Sequence, residues 1–271
     1  MLAGSVHPTI NLTGGSLTVA GNIAEGVNGT DVASVINLQG GTLDLAGNSI
    51  GVDTFAAEKG TLRNVLEFNA GGTLTKTTAD TLIVEGANAY SGATAINAGT
   101  LLLNGTHSIA GATNVGAYTV ASNATLGGIG STDASIVLAE GGFLSPGQSI
   151  ESLDVGSATL AGELVIEIND ANAPKVDVLN VAGLLDLTSL TASVDFHVTG
   201  TLSESAYVFA TYGTLAGEFL PANAVTPEGY EIDYNYEGLN QIALVVPEPA
   251  GAAAMIAAAA MLMGRRRATR V

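Results

Sequence analysis

The residues best suited to chemistry in this chain are carboxylates. Glu163, Glu167, Asp170 and Asp177 fall within one short stretch together with Lys175. Clustered carboxylates beside a cation are what a polysaccharide lyase or hydrolase needs: one group moves a proton while the cation steadies developing charge. Strand-like alternation of Glu163, Glu167 and Asp177 is equally the pattern of ordinary solvent-facing positions. His7, His107 and His197 are isolated, have no metal-ligand spacing, and are expected at the surface or in turns. Asn169-Asp170-Ala171-Asn172 is oxygen-rich but lacks the glycine and distal glutamate of an EF-hand, and reads as an Asx turn. Ser145-Pro146-Gly147-Gln148-Ser149 departs from the Gly-x-Ser-x-Gly of a nucleophile elbow. Gly127-Gly128-Ile129-Gly130 has neither the lysine nor the following helix of a phosphate loop. Cysteine is absent, which removes disulfides, thiolate metal sites and thiol nucleophiles. No catalytic, cofactor-binding or metal site is expected, and the chain reads as a non-enzyme; a polysaccharide lyase or hydrolase is the alternative.

The C-terminal residues carry addressing chemistry instead. Pro247-Glu248-Pro249 removes two backbone donors and forces extended backbone, so the folded body ends before Pro247. From Ala250 to Gly264 every side chain is apolar or absent, in residues that favour a helix. Those ~15 residues reach ~22 Å, short of a ~30 Å hydrocarbon core, so the span is marginal. Arg265, Arg266 and Arg267 then form a basic stop that would stay on the cytoplasmic side.

In this order the three parts resemble the PEP-CTERM sorting signal of Gram-negative bacteria that possess an exosortase. The resemblance implies export and processing near Pro247, Glu248 and Pro249 by an exosortase-type enzyme. It also implies transient membrane anchoring through residues 250–264 and a final place at the cell surface or in extracellular matrix. Export needs an entry signal, yet Met1-Leu2-Ala3-Gly4-Ser5 shows no basic and apolar leader. The expectation is a chain truncated at its start.

The body that precedes this tail has four basic residues (Lys59, Arg63, Lys76, Lys175) against 24 acidic ones, a balance of −20 that the tail moves to −17. Such a surface repels phosphate backbones, which excludes nucleic-acid partners, and attracts divalent cations only loosely. An extracellular polysaccharide remains a candidate partner.

The elements that would position these groups are short strands. Gly14-Gly15-Ser16-Leu17-Thr18 returns as Gly40-Gly41-Thr42-Leu43-Asp44, then as Gly71-Gly72-Thr73-Leu74 and Ala98-Gly99-Thr100-Leu101. Ala124-Thr125-Leu126-Gly127 and Gly141-Gly142-Phe143-Leu144 are weaker copies. A spacing of about 26 to 31 residues is that of a solenoid. Each phrase alternates apolar and polar side chains, and no unit is large enough to bury its own apolar face, so stacking is required. With 35 glycines, no tryptophan and few aromatics, the composition suits many thin layers. The series Leu74, Thr81-Leu82-Ile83-Val84, Gly86, Asn88, Tyr90, Gly92, Thr94 and Gly99-Thr100-Leu101 resembles the autotransporter-associated β-strand repeat, which builds β-helical passengers of surface proteins. An autotransporter passenger would need a C-terminal transmembrane barrel, and the tail read above is of another kind.

The expected fold is all-β: a right-handed parallel β-helix with a C-terminal cap, then one short apolar helix. A sandwich or jelly roll is the runner-up. Residues 1–161 are assigned to the Gly-rich solenoid, with the autotransporter-associated repeat near 71–105. Residues 162–246 are its continuation and cap, where large side chains such as Tyr207, Phe209, Phe219 and Tyr230 concentrate. Residues 247–271 are the sorting segment.

Overall fold

The computed structural model describes residues 8–24, 33–109 and 115–247. The strands form two long sheets; those up to Phe68 all belong to the first, and from Leu74 onward the chain passes repeatedly from one sheet to the other. The first sheet stacks Thr9–Leu12, Val35–Gly51, Thr54–Phe68, Thr81–Glu85, Gly99–Leu103, Ala124–Gly128, Phe143–Pro146, Glu163–Asn169 and Ser193–Thr199, in that order. The second stacks Leu74–Lys76, Thr94–Ile96, Tyr118–Val120, Ser131–Leu138, Ser152–Leu160, Val178–Leu187 and Ala206–Gly217. Every pairing among these strands is parallel, so the architecture is that of a β-solenoid.

The core is a set of side-chain ladders along the stack. Leu82 lies beside Leu101, then Leu126, Leu144, Leu164 and Val194, each pair in register and each residue buried. Opposite them, Ile96, Val120, Leu138 and Leu160 form a ladder in the second sheet. Burying like against like in successive coils removes apolar surface that no single coil could hide. The first ladder passes from Leu144 to Leu164 without interruption, across the junction between solenoid and continuation drawn from sequence.

Spacing departs from the sequence reading. Ser16 pairs with Thr42 as the repeated phrase requires, but the next rung is Thr61-Leu62, which pairs with Thr42-Leu43. Gly71-Gly72-Thr73-Leu74 looks like the better copy, yet Leu74 pairs with Thr94 in the opposite sheet. Partner positions then recur at intervals of about 18 to 30 residues, a range typical of solenoid repeats whose turns vary in length. The phrase marks a strand entry, and both sheets have such entries.

The stack closes by reversing direction. Gln241–Val245 pairs antiparallel with Ala206–Gly217 and with Glu231–Asp233, so the second sheet ends on chain that runs the other way. Aromatic rings fill this end: Phe196 packs edge-on to Phe209 at 5.2 Å, and Tyr207 lies 5.9 Å from Tyr230. Tyr212 donates its hydroxyl to the Tyr234 carbonyl (2.6 Å), and the Phe219 amide donates to the Tyr234 hydroxyl (3.0 Å). Pro247 follows this closing strand and is exposed.

Candidate functional site

The five residues singled out for glycan chemistry occupy three separate environments. Glu163 and Glu167 are on the strand Glu163–Asn169 at positions whose side chains alternate with the buried Leu164, Ile166 and Ile168. Burial and the nearby Asp195 charge push the Glu163 carboxyl up from its usual value. Asp170 and Lys175 are brought together in the following loop, 3.9 Å apart, with Glu204 also bonded to Lys175. Asp170 accepts from the Ser203 amide and hydroxyl and from Tyr207 Oη (2.5 Å), which together hold its pKa down.

Asp177 differs from all of these. It is fully buried, and its two oxygens accept the Glu151 and Glu167 backbone amides, each at 3.0 Å. Burial outweighs those bonds and pushes its pKa up to about 6, with the Glu167 and Glu151 charges acting the same way. The expectation that Asp177 faces solvent is therefore corrected: it ties its loop to the strand Glu163–Asn169 and to the residue that leads into Ser152–Leu160. Its donors are backbone groups, which sequence pattern cannot reveal.

His107 also departs from expectation. Rather than sitting at the surface, it is buried between Tyr90, whose ring stacks on it at 3.8 Å, and Tyr118. Its Nε2 donates to the Tyr90 carbonyl and its Nδ1 accepts the Tyr118 hydroxyl, both at 2.8 Å. Burial lowers its pKa, and a neutral ring satisfies both contacts. His197 is exposed, 2.9 Å from Asp195, and His7 lies outside the described residues. In the Asn169 loop, the Ala171 amide donates to Asn169 Oδ1 (3.0 Å), the Asx turn the sequence suggested. Among the described residues no group of three or more His, Asp or Glu side chains could hold a metal ion.

Each of the four cations of the body has a carboxylate partner. Lys59 meets Asp80 (3.1 Å), Arg63 meets Glu85 (3.4 Å), Lys76 meets Glu58 (3.8 Å), and Lys175 meets Asp170 and Glu204. Lys76 is the unusual one, because its side chain is fully buried in the position that Ile96 occupies one coil later. Burial lowers its pKa, and Glu58 opposes that change. Thr78 supplies its carbonyl and hydroxyl as acceptors to the Lys76 ammonium.

A concave surface along the second sheet escaped sequence reasoning altogether. Where the second sheet bends, register slips recur in neighbouring strands, between Thr132 and Ser135, between Val155 and Ala158, and between Val181 and Leu184. These aligned bulges turn the sheet. They bring backbones close: a Cβ on Gly156 would lie 2.2 Å from the Asp133 carbonyl oxygen. Along the bend Ser131, Asp154, Asn180 and Thr211 stand in register on successive coils. Thr211 donates to Asn180 Oδ1 (2.8 Å), and Asn180 donates to Asp154 Oδ1 (2.7 Å). This ladder lines a cleft of about 410 Å³, and Asn180 also borders a neighbouring hollow of about 580 Å³ lined by Ile129, Pro174, Val176 and Val178. The available signal was the spacing of a polar residue with a bulge two residues later, which varies too much to recognise in one sequence.

Of the sorting residues, Pro247 lies at the capped end, while Glu248, Pro249, Arg265, Arg266 and Arg267 lie outside the described residues, as does the apolar stretch 250–264. Among the described residues no helix is long and apolar enough to cross a membrane.

The repeat near residue 74 now has a physical account. Asn88 is buried at a corner, accepting the Val65 amide and donating to the Glu85 and Thr106 carbonyls, so it joins three coils. The Tyr90 hydroxyl and Thr94 Oγ1 share a hydrogen bond at 2.8 Å. Gly92 passes so close to the coil below that a Cβ would lie 1.9 Å from the Gly72 carbonyl oxygen. Comparison with curated proteins returned no match. Residues 74–103 match the passenger-associated-transport-repeat family. In that stretch the chain is similar to the repeats of autotransporter passengers.

Proposed function

We propose that this is an exported, non-enzymatic protein of the cell surface or extracellular matrix, whose solenoid serves as an extended spacer or adhesive element. The observation that carries the reading is the uninterrupted parallel stack, one buried ladder running from Leu82 to Val194, with a repeat similar to those of exported passengers. A stack of this kind gains length by adding coils. The coils are taken as right-handed, because parallel connections within one sheet wind that way in about 98% of cases. Delivery is assigned to an exosortase-type enzyme acting at Pro247, Glu248 and Pro249, with residues 250–264 holding the chain in the membrane until then. The exposed position of Pro247 beyond the closing strand suits access by such an enzyme.

The reading favours a non-enzyme because Asp177 is fully buried and held by backbone amides, and the nearest cation, Lys175, is engaged by Asp170 and Glu204. Fractionation of cells expressing the chain with and without residues 247–249 tests the delivery step. The intact chain is expected in the surface or matrix fraction and the deleted chain in the membrane fraction. Equal distribution of the two would overturn the assignment of that segment.

A further inference from the structure

The cleft at the bend of the second sheet lies outside the groups considered for glycan chemistry. We propose that it is a binding site for a neutral, hydroxyl-rich polysaccharide, laid along the solenoid axis so that successive sugar residues meet successive coils. The proposal rests on the reading of this protein as a surface or matrix component, and names the class of polymer and the place where it is held.

Four observations carry it. First, Ser131, Asp154, Asn180 and Thr211 present a hydroxyl, a carboxylate, an amide and a hydroxyl in register on four consecutive coils. Adjacent strands are about 4.8 Å apart, a step comparable to one pyranose residue in an extended chain. Second, the ladder is fixed in advance by its own bonds, Thr211 to Asn180 and Asn180 to Asp154, so little side-chain freedom is lost on binding. Third, the adjoining hollow is bordered by Ile129, Pro174, Val176 and Val178, and Ile129 is 41% exposed. Polar rungs beside an apolar bank match a sugar, which has hydroxyls at its edge and C–H groups on its faces. Fourth, the lining includes Asp133, Asp154 and Glu151 but no Lys or Arg. Lys175, the cation nearest to it in sequence, is bonded to Asp170 and Glu204. Carboxylates accept strong hydrogen bonds from sugar hydroxyls, whereas uronate, sulfate or phosphate groups would be repelled.

No aromatic platform lines the cleft, so the grip on each sugar is weak and affinity accumulates along the rungs. Binding should therefore strengthen with oligomer length and respond little to salt.

The test titrates the full chain with cellohexaose, laminarihexaose and maltohexaose, with the corresponding trisaccharides, and with polygalacturonate. At least one neutral hexamer is expected to bind, at least threefold more tightly than its trimer and equally at low and high salt. Asn180→Ala should weaken that binding at least tenfold and Thr211→Val severalfold, while Thr159→Ala, on the same sheet but outside the cleft, should leave it unchanged. Thermal melts check that each variant folds, and Thr211→Val serves if Asn180→Ala does not. The proposal is overturned if no neutral hexamer binds, if polygalacturonate binds as well as the hexamers, or if folded variants bind like the unaltered chain. A protein that reaches the surface without binding these sugars sinks the cleft alone. One that is never exported sinks the surface reading, whatever it binds.

Discussion

Replacing Asp177 with Asn should flatten the pH dependence of stability by a calculable amount. The Asp177 carboxyl is raised from 3.8 to about 6 because burial disfavours its charge more than the Glu151 and Glu167 amides favour it. A folded-state value above the unfolded one means that the folded chain holds the proton more tightly. The stabilisation is thus fully present below pH 3.8 and is lost as pH rises through about 6. The difference between those two values corresponds to roughly 3 kcal/mol at 1.36 kcal/mol per pH unit. Urea unfolding of the unaltered chain and Asp177→Asn, at several pH values between 3.5 and 8, isolates this residue from all other carboxylates. The stability difference between the two should move by about 3 kcal/mol across that range, the unaltered chain faring relatively better in acid. Asn presents one oxygen instead of two, so one backbone donor is left poorly paired. That adds a constant offset of about 1–3 kcal/mol but no slope. A difference that stays constant across the range would refute the assignment of a buried, proton-binding Asp177.

Three further outcomes follow from the packing. Gly92→Ala places a Cβ 1.9 Å from the Gly72 carbonyl oxygen and should destabilise by about 1–3 kcal/mol or more, whereas a Cβ at Gly21 meets nothing within 4 Å and Gly21→Ala should be nearly neutral in thermal melts. Glu58→Ala should be more damaging than Lys76→Met: removing Glu58 strands a buried ammonium at about 3–5 kcal/mol, while Met replaces the charge with apolar volume, and chemical denaturation ranks the two. Leu126→Ala, in the middle of the inner ladder, should lower stability by about 2–5 kcal/mol in the same assay.

How far the sequence spoke depends on which contacts decide a position. Alternation in Thr81-Leu82-Ile83-Val84 and Gly99-Thr100-Leu101 is a one-dimensional imprint of a strand with one buried face, and these strands do pair in register. The phrase Gly-Gly-Thr-Leu was misleading at Gly71 because a glycine turn before a threonine–leucine strand serves either sheet. Lys59-Gly60-Thr61-Leu62, a poorer match by eye, is the true neighbour of Gly41-Thr42-Leu43. Lys76 reads as a surface cation and is buried, because its partners Glu58 and Thr78 come from another coil and a turn. His107 was misplaced for the same reason: the Tyr90 carbonyl and the Tyr118 hydroxyl that satisfy it are 17 and 11 residues away. The cleft at the second sheet's bend depends on bulges that leave no residue-type signature apart from scattered small side chains such as Gly156 and Gly183. Local period is legible in one sequence; the alignment of one coil over the next is not.

The central claim is that the folded solenoid is delivered by a tail that is then removed near Pro247. Mass spectrometry of the C-terminal peptide, on protein recovered from the surface or matrix fraction, addresses it most directly. A chain ending close to Pro247, Glu248 and Pro249, without Arg265, Arg266 and Arg267, is the predicted result. Surface protein that keeps those three arginines would contradict it.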